Sequence, residues 1–438
     1  MMSEAMFLIF VPFLILMFIG MPVGFTFIVV MMFASAIIIG PVAGPAMTVS
    51  SMFTSIATFS LAPVPLFILM GELMLHTGLA SRAMDAVSKL LGKVPARLSI
   101  LANLGGSLFG LLSGSTMAST AMLGNCLAPD MIRRGYDKKM SYGPIMAAGG
   151  LAMIIPPSSL MVIYATTAQI SAGQLLLAGV IPGFIMAVNY ILNILIRVKL
   201  NPSLAPAYIP EKISMKEKMM VLFRDLLPLT FIIFLVTGLF VLGIATPTEA
   251  AAMGALGTII IAMFYKQINF QTLVKALKGT VITSTMTLFI IGGSTVFSAL
   301  LGYTGFTRAI ITGLLSMNTS PYVMLMLMAG IVFILGMFIE SVPIIMMVVP
   351  IFVPVAAALG MNQIWLGIII MIVIQMGMTS PPFGMLLFVM KGVAGRDTTM
   401  KDMYRTAAPF LLSDTLSVLM VVLIPPLALW LPNLLIGS

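Results

Sequence analysis

Charged side chains are scarce, at 8% of 438 residues, and histidine and cysteine occur once each, as His76 and Cys126. One cysteine excludes an intrachain disulfide. One histidine argues against a histidine-based metal site. No Lys or Arg precedes Arg82, so the first apolar run lacks the basic leader of a cleaved secretion signal and reads as a retained span. No nucleophile and base pair, P-loop or dinucleotide fingerprint is visible, which leaves no ground for an enzyme. What is abundant is apolar. Hydrophobic residues make up 60% of the chain and mean hydropathy is +1.16, with several runs near the roughly 20 residues that cross a hydrocarbon core. The expectation is an integral membrane protein in a lipid bilayer. Its net charge of +9 sits in short clusters between apolar runs without aromatic interleaving, which fits topology anchoring and not nucleic-acid binding.

A pattern occurs twice. HTGLASRA at 76 to 83 returns as YTGFTRA at 303 to 309, and IIPPS at 154 to 158 returns as MTSPPFG at 378 to 384. Gly78 thus matches Gly305, Arg82 matches Arg308, and Pro156-Pro157 matches Pro381-Pro382. The charges around the copies do not match. The first copy is flanked by Arg82, Lys89, Lys93, Arg97, Arg133, Arg134, Lys138 and Lys139, where the second holds only Arg308. The second carries Lys266, Lys275, Lys278, Lys391, Arg396, Lys401 and Arg405, where the first has no charge. Loops rich in Lys and Arg stay cytoplasmic, so the two copies are expected to cross the bilayer in opposite senses, as inverted repeats of secondary transporters do.

Full spans are expected near 5 to 20, 23 to 40, 60 to 80, 140 to 166 and 175 to 197, and again near 226 to 244, 247 to 265, 280 to 302, 364 to 390 and 408 to 431. Five per half is an odd number, which independently inverts the second half. The stretches 98 to 129 and 322 to 358 are too long for one span, and each has flanks of one charge character. Both are expected to be re-entrant hairpins whose tips meet inside the protein, since irregular backbone at membrane depth needs protein or water around it. The organisation is therefore a first repeat over 1–197, with its broken helix near 140–166, a cytoplasmic linker over 198–225, and a second repeat over 226–438, with its broken helix near 364–390. The fold class is an all-α polytopic membrane protein. Amphipathic stretches at 41 to 58 and 266 to 279 are expected to lie on the membrane surface as arms.

SGSTMAST at 113 to 120 puts small and hydroxylated residues at the first hairpin tip, beyond what helix packing through Gly114 and Ala118 would need. In GGLAMIIPPSS at 149 to 159 and QMGMTSPPFG at 375 to 384, two prolines remove two backbone donors. Upstream carbonyls are then free to hold a cation, while downstream helix N-termini face an anion. Among ionisable residues in apolar runs, Glu72 and His76 are one turn apart and suit a mutual hydrogen bond. Glu340 adjoins Ser341 at the second tip, Glu249 suits helix packing, and Asp414 completes the set.

SGSTMAST, IIPPSS, GMFIES and TSPPFG, in two hairpin-bearing halves, resemble the large membrane subunit of tripartite ATP-independent periplasmic (TRAP) transporters over essentially the whole chain. The resemblance implies an elevator-type carrier of the ion transporter superfamily in the bacterial inner membrane. It also implies a small four-helix membrane subunit, a periplasmic solute-binding protein and uptake of an organic acid anion driven by sodium. Carried over by motif, one sodium site uses Ser113, Thr116, Ala152, Ile155 and Pro157, and a second uses Gly336, Gly377, Ser380 and Phe383, mainly through backbone carbonyls. Ala152 stands where the family often has Gly, and Ser380 where it often has Thr. The anion pocket implied lies between Ser115, Thr116 and Ser119 on one side and Ser341, Thr379 and Ser380 on the other, with Pro156, Ser158, Glu340 and Pro381 beside them. A solitary carboxylate symporter of the same superfamily would carry nearly the same residues, and neighbouring genes for the two partner proteins would separate the readings. A channel fits less well, because pores are commonly built from repeated subunits around an axis.

Overall fold

The computed structural model of the chain describes residues 2–91, 94–113, 115–206, 214–316, 320–395 and 397–435, and every regular element among them is helical. Lys93, Gly114, Lys212 and Arg396 lie outside the described residues, as does the side chain of Ser113. In chain order the helices are α1 (Met2–Phe18), α2 (Val23–Ile38), α3 (Ala43–Ile56), α4 (Pro63–His76), α5 (Leu79–Leu90), α6 (Arg97–Ser113), α7 (Thr116–Arg133), α8 (Lys138–Gly150), α9 (Ser159–Ala168) and α10 (Ala172–Leu200). They continue as α11 (Met215–Gly238), α12 (Pro247–Phe264), α13 (Phe270–Tyr303), α14 (Phe306–Ser316), α15 (Pro321–Gly336), α16 (Ser341–Ala358), α17 (Gln363–Met378), α18 (Met385–Val393), α19 (Met400–Leu423) and α20 (Pro426–Leu435). Seven helices among the described residues are long and apolar enough to cross a membrane, α10, α13 and α19 being the clearest by length. The chain is a multi-pass, all-helical membrane protein.

Glycine and proline set where helices stop. Gly78 and Gly305 have φ of +74° and +72°, a left-handed turn that glycine enters without penalty, and each turns the chain into a short helix, α5 and α14. α8 ends in a 3-10 turn at Leu151–Met153 ahead of Pro156-Pro157, and α17 ends at Met378 ahead of Pro381-Pro382. Both Pro-Pro bonds are cis. Element order after Met215 follows that from Met2 in most places: two helices, then α3 and α4 in the first half but the single α13 in the second, a short helix, a helix pair, an interrupted helix and a long helix, with α20 added at the end.

Two expected boundaries differ. Residues 41 to 58 do form a separate α3, stopped by extended backbone at Thr58 and restarted by Pro63 at the head of α4. Residues 266 to 279 do not form a separate arm. From Phe270 onward they are the first turns of the unbroken α13, which Asn269 caps and no proline interrupts. The linker is also shorter than 198–225, because α10 runs on to Leu200 and a Ser214–Glu217 capping box starts α11 at Met215.

α6 and α7 make a helical hairpin. The Leu98 amide donates to Tyr136 Oη at 3.4 Å, so the start of α6 meets the chain leaving α7. Next to it, the Asp137 amide donates to the Leu204 carbonyl at 2.9 Å, and Lys138 Nζ lies 3.5 Å from Asp402 Oδ2. Hairpin entry, hairpin exit, linker and the head of α19 therefore share one end of the molecule. α5 is anchored to α11 by Arg82, whose Nε is 2.6 Å from Asp225 Oδ1 and whose guanidinium lies 4.0 Å over the Tyr265 ring. Burial pushes the Tyr265 phenol up, and the Arg82 charge offsets only part of that.

The interrupted helices form the core. α8 is buried along its length from Met140 to Gly150, and α17 is buried almost throughout. Apolar side chains gain little by leaving lipid for protein, so close backbone approach and interhelical hydrogen bonds hold such helices together. Gly143 packs under Phe410, and Gly150 packs under the amide of Gln375. Between α10 and α19, Asn189 Nδ2 donates to Ser417 Oγ at 2.8 Å and Asn193 Nδ2 to the Pro409 carbonyl at 2.7 Å. In the same seam Tyr190 donates to the Asp414 carboxyl. Glu249 does not join a helix interface: it is exposed and closes a capping box on Thr246, accepting its amide at 2.8 Å.

Candidate functional site

A cleft of about 820 Å³, its open mouth included, lies between the first hairpin tip, the α8–α9 break, the α15–α16 tip, and the paired helices α4 and α13. Three helix N-termini meet there. α7 begins at Thr116, with Ser115 Oγ accepting the Ala118 amide at 3.3 Å. α9 begins at Ser159, with Ser158 Oγ accepting the Met161 amide at 3.4 Å. α16 begins at Ser341 behind Glu340, whose side chain makes no cap. N-terminal amides and the helix dipole favour an anion at such a point. The facing wall is a stripe of α4 formed by Val64, Ile68, Gly71, Glu72 and Leu75, beside Thr283 and Thr287 of α13.

Each interrupted helix is pressed against the first helix of a hairpin. A Cβ built on Gly110 of α6 would meet Ala152 Cα at 2.9 Å, and one built on Gly377 of α17 would meet Gly336 Cα of α15 at 2.6 Å. The contacts recur at matching places in the two halves. Pro156 and Pro157 have no N–H for the carbonyls of Ala152 and Met153, nor Pro381 for that of Gly377. Met153 recovers a partner, since Ser158 Oγ donates to its carbonyl at 2.8 Å. In the second half, the Ser380 amide donates to the Gly377 carbonyl at 3.0 Å, and the Gly384 amide to the Ser380 carbonyl at 3.0 Å. Gln375 is fully buried with neither amide atom hydrogen-bonded, two residues before Gly377 and lying on Gly150.

Main-chain oxygens beside hydroxyls suit a hard cation. Among the described residues no group of three His, Cys, Asp or Glu side chains gathers, so a cation here would rest on neutral oxygens. On the first side the donor set expected from the sequence fits sodium: Ala152 has lost its helical donor, and Thr116 is buried at the adjoining tip. On the second side Gly336 and Gly377 touch, the Gly377 carbonyl accepts from the Thr379 and Ser380 amides, and the Ser380 carbonyl accepts from the Gly384 amide.

Of the residues expected to meet the solute, Ser115, Thr116, Glu340 and Ser341 line the cleft. Ser119, Pro156, Ser158, Thr379, Ser380 and Pro381 are not among its described lining residues. Ser158 caps α9, and Thr379 Oγ1 donates to the carbonyls of Gln375 and Met376 at 3.2 and 3.1 Å. Phe383 is exposed and stacks on Phe388. Glu72, Phe109, Ser159, Thr283 and Thr287 line the cleft without having been singled out for it. The Glu72–His76 contact is present at 3.3 Å. A signal for this wall was available, because Val64, Ile68, Glu72 and Leu75 repeat at helical spacing on one face.

Long apolar helices around interrupted ones that converge on a polar cleft define a multi-pass membrane transporter. The family model described as "Tripartite ATP-independent periplasmic transporter, DctM component" matches residues 10–427, and the chain belongs to that family. It is 31% identical to the C4-dicarboxylate TRAP transporter large permease protein DctM of Pseudomonas aeruginosa, covering 87% of this chain and 88% of that protein. It is 30% identical to the sialic acid TRAP transporter large permease protein SiaM of Vibrio cholerae, covering 96% and 97%. Among solved structures it resembles the YdaH transporter of Alcanivorax borkumensis with a TM-score of 0.63 at 14% identity, covering 87% of this chain and 88% of that one, a likeness of fold alone. The chain is thus a permease component and not an enzyme.

Proposed function

We propose that the chain carries out sodium-coupled uptake of a small organic acid across the bacterial inner membrane, taking its solute from a periplasmic binding protein and working with a small four-helix membrane subunit. One observation carries this reading: three helix N-termini converge on a cleft beside the first proline-interrupted helix, and each of the two interrupted helices is pressed on a hairpin. Relatives named for C4-dicarboxylate, sialic acid, ectoine and isethionate support an organic acid without selecting one.

Ser115, Thr116, Ser159 and Ser341 bind the acid group, with Glu340 at the rim. Ser113, Thr116, Ala152, Ile155 and Pro157 hold one sodium ion, and Gly336, Gly377, Ser380 and Phe383 hold the other. What sodium supplies is positive charge beside the acid, and about 2.3 kcal/mol per 100 mV for each ion that enters with the membrane potential. The two hairpins and interrupted helices, with α10 and α19, move as one body past a scaffold built on α4 and α13. The cleft between the two bodies then opens to alternate sides. The halves 1–197 and 226–438 cross the bilayer in opposite senses, and Lys138 beside Asp402 supports this by placing the two basic regions at one end.

Proteoliposomes holding this chain and its small subunit, fed by candidate binding proteins loaded with organic acids, test the coupling. Uptake is expected to stop when choline replaces sodium at fixed pH, and undiminished uptake removes the ion assignment. In a Cys126→Ser background, Arg133→Cys, at an exposed position of the first basic region, and Lys401→Cys are both expected to react with an impermeant thiol reagent from the cytoplasmic side. Reaction from opposite sides sinks the inverted arrangement.

A further inference from the structure

The cleft is acidic on the side where a second acid group of a solute would have to go. Its described lining includes two carboxylates, Glu72 and Glu340, and no lysine or arginine. Hydroxyls and helix N-termini gather on the hairpin side, at Ser115, Thr116, Ser159 and Ser341. Across from them stands Glu72, on the α4 wall. Its carboxylate lies over a glycine: a Cβ on Gly279 of α13 would lie 2.4 Å from Glu72 Oε2, so a larger residue there would push the acid aside. His76 Nε2 lies 3.3 Å from the same oxygen. The imidazole thus approaches the carboxylate at Oε2. Glu72 stays 23% exposed although it lies in a helix packed on its neighbour.

We infer, on the reading of the cleft as the solute site, that the solute is a zwitterion, an organic acid carrying one positively charged nitrogen, and that Glu72 selects it. The acid group meets the three N-termini, where partial positive charge and amides favour it. An ammonium or amidinium group meets Glu72, which accepts its N–H bonds in a charge-assisted pair. A dicarboxylate of the same length sets its second negative charge against Glu72, and repulsion between like charges grows as water is excluded. A simple monocarboxylate leaves Glu72 without a partner. Discrimination thus comes from a repulsive element as well as an attractive one.

The test uses the full chain purified with its small subunit, in lipid nanodiscs and sodium buffer, titrated by thermal shift with three panels of probes. These are zwitterions (5-aminovalerate, 4-aminobutyrate, 3-aminopropionate), dianions (glutarate, succinate) and monoanions (valerate, butyrate). The tightest binding is expected in the zwitterion panel. Glu72→Gln is expected to weaken that binding about tenfold and to leave dianion binding unchanged or stronger. Should Glu72→Gln not fold, Gly279→Ala, which displaces the carboxylate, carries the same expectation. Dianions that bind wild-type protein at least as tightly as zwitterions, with Ser115→Leu abolishing the binding, overturn the inference and keep the cleft as the site. Binding that survives Ser115→Leu overturns the cleft itself. A zwitterion panel that gives no shift also overturns the inference.

Discussion

Gly336 and Gly377 meet back to back: a methyl group built on Gly377 would stand 2.6 Å from Gly336 Cα and 2.9 Å from the Phe333 carbonyl oxygen. Neither helix has a flexible side chain there to give way, so hairpin and interrupted helix must part if either glycine is enlarged. Gly377→Ala is expected to cost about 1–3 kcal/mol of stability, as overpacking does, and to lower sodium-dependent uptake. Gly302→Ala is the control, because a Cβ there has nothing within 4 Å. Thermal unfolding and uptake measured together check the pair. Equal behaviour of Gly377→Ala and Gly302→Ala removes the contact as a determinant.

Pro156 denies the Ala152 carbonyl the N–H that a continuing helix would offer it. Pro156→Ala returns that donor. If the carbonyl serves a cation, the sodium concentration for half-maximal uptake is expected to rise about tenfold, since a competing hydrogen bond of about 1 kcal/mol or more must be given up. Thermal stability is expected to stay near wild type. A sodium dependence unmoved by Pro156→Ala speaks against the first ion site as drawn.

The two interrupted helices were legible in the sequence because their cause is local: proline removes a donor whatever surrounds it. The left-handed turns at Gly78 and Gly305 were legible only as a matched pair of glycines, and the span expected near 60 to 80 runs through the first of them. The α4 wall was not. Glu72 reads as a helix residue paired with His76, and the two are in contact at 3.3 Å, but its place in the cleft lies against Gly279, some two hundred positions away on α13. A local hydrogen bond occupies Ser158. Its hydroxyl reads as a ligand, yet it spans the break to the Met153 carbonyl at 2.8 Å, and the neighbouring Ser159 lines the cleft. The arm at 266 to 279 failed as a separate element because amphipathic composition does not show whether a helix stops; only a breaker does, and none occurs before Tyr303.

Arg82 ties α5 to α11 through Asp225 at 2.6 Å and stacks on Tyr265. Lysine keeps the charge but not the plane that meets carboxylate and ring together. Arg82→Lys is therefore expected to lose most of what Arg82→Ala loses. Both are expected to lower the unfolding midpoint by only a few degrees, because a partly exposed pair is worth about 1 kcal/mol or less, and to slow uptake more than they destabilise. Tyr265→Phe is expected to preserve the stack on Arg82 while losing the hydrogen bond that the phenol donates to the Arg224 carbonyl. Full activity of Arg82→Ala would free α5 from any part in the motion.

Asp414 is 1% exposed, and its carboxyl receives a hydrogen bond from the Tyr190 hydroxyl between α10 and α19. If this contact is an ordinary interhelical hydrogen bond, membrane precedent limits it to an average of about 0.6 kcal/mol. If Tyr190 instead satisfies an acid that has no other donor in reach, removing it strands a buried polar group at about 1–3 kcal/mol. Tyr190→Phe and Asp414→Leu, alone and together, separate the two. The single Tyr190→Phe is expected to fall in the larger range. The double variant is expected to recover much of the loss, because replacing both partners by apolar groups leaves nothing unsatisfied. A double variant as unstable as the sum of the singles would mean that the two side chains act independently, and that the seam is held by Asn189 and Asn193 through Ser417 and the Pro409 carbonyl.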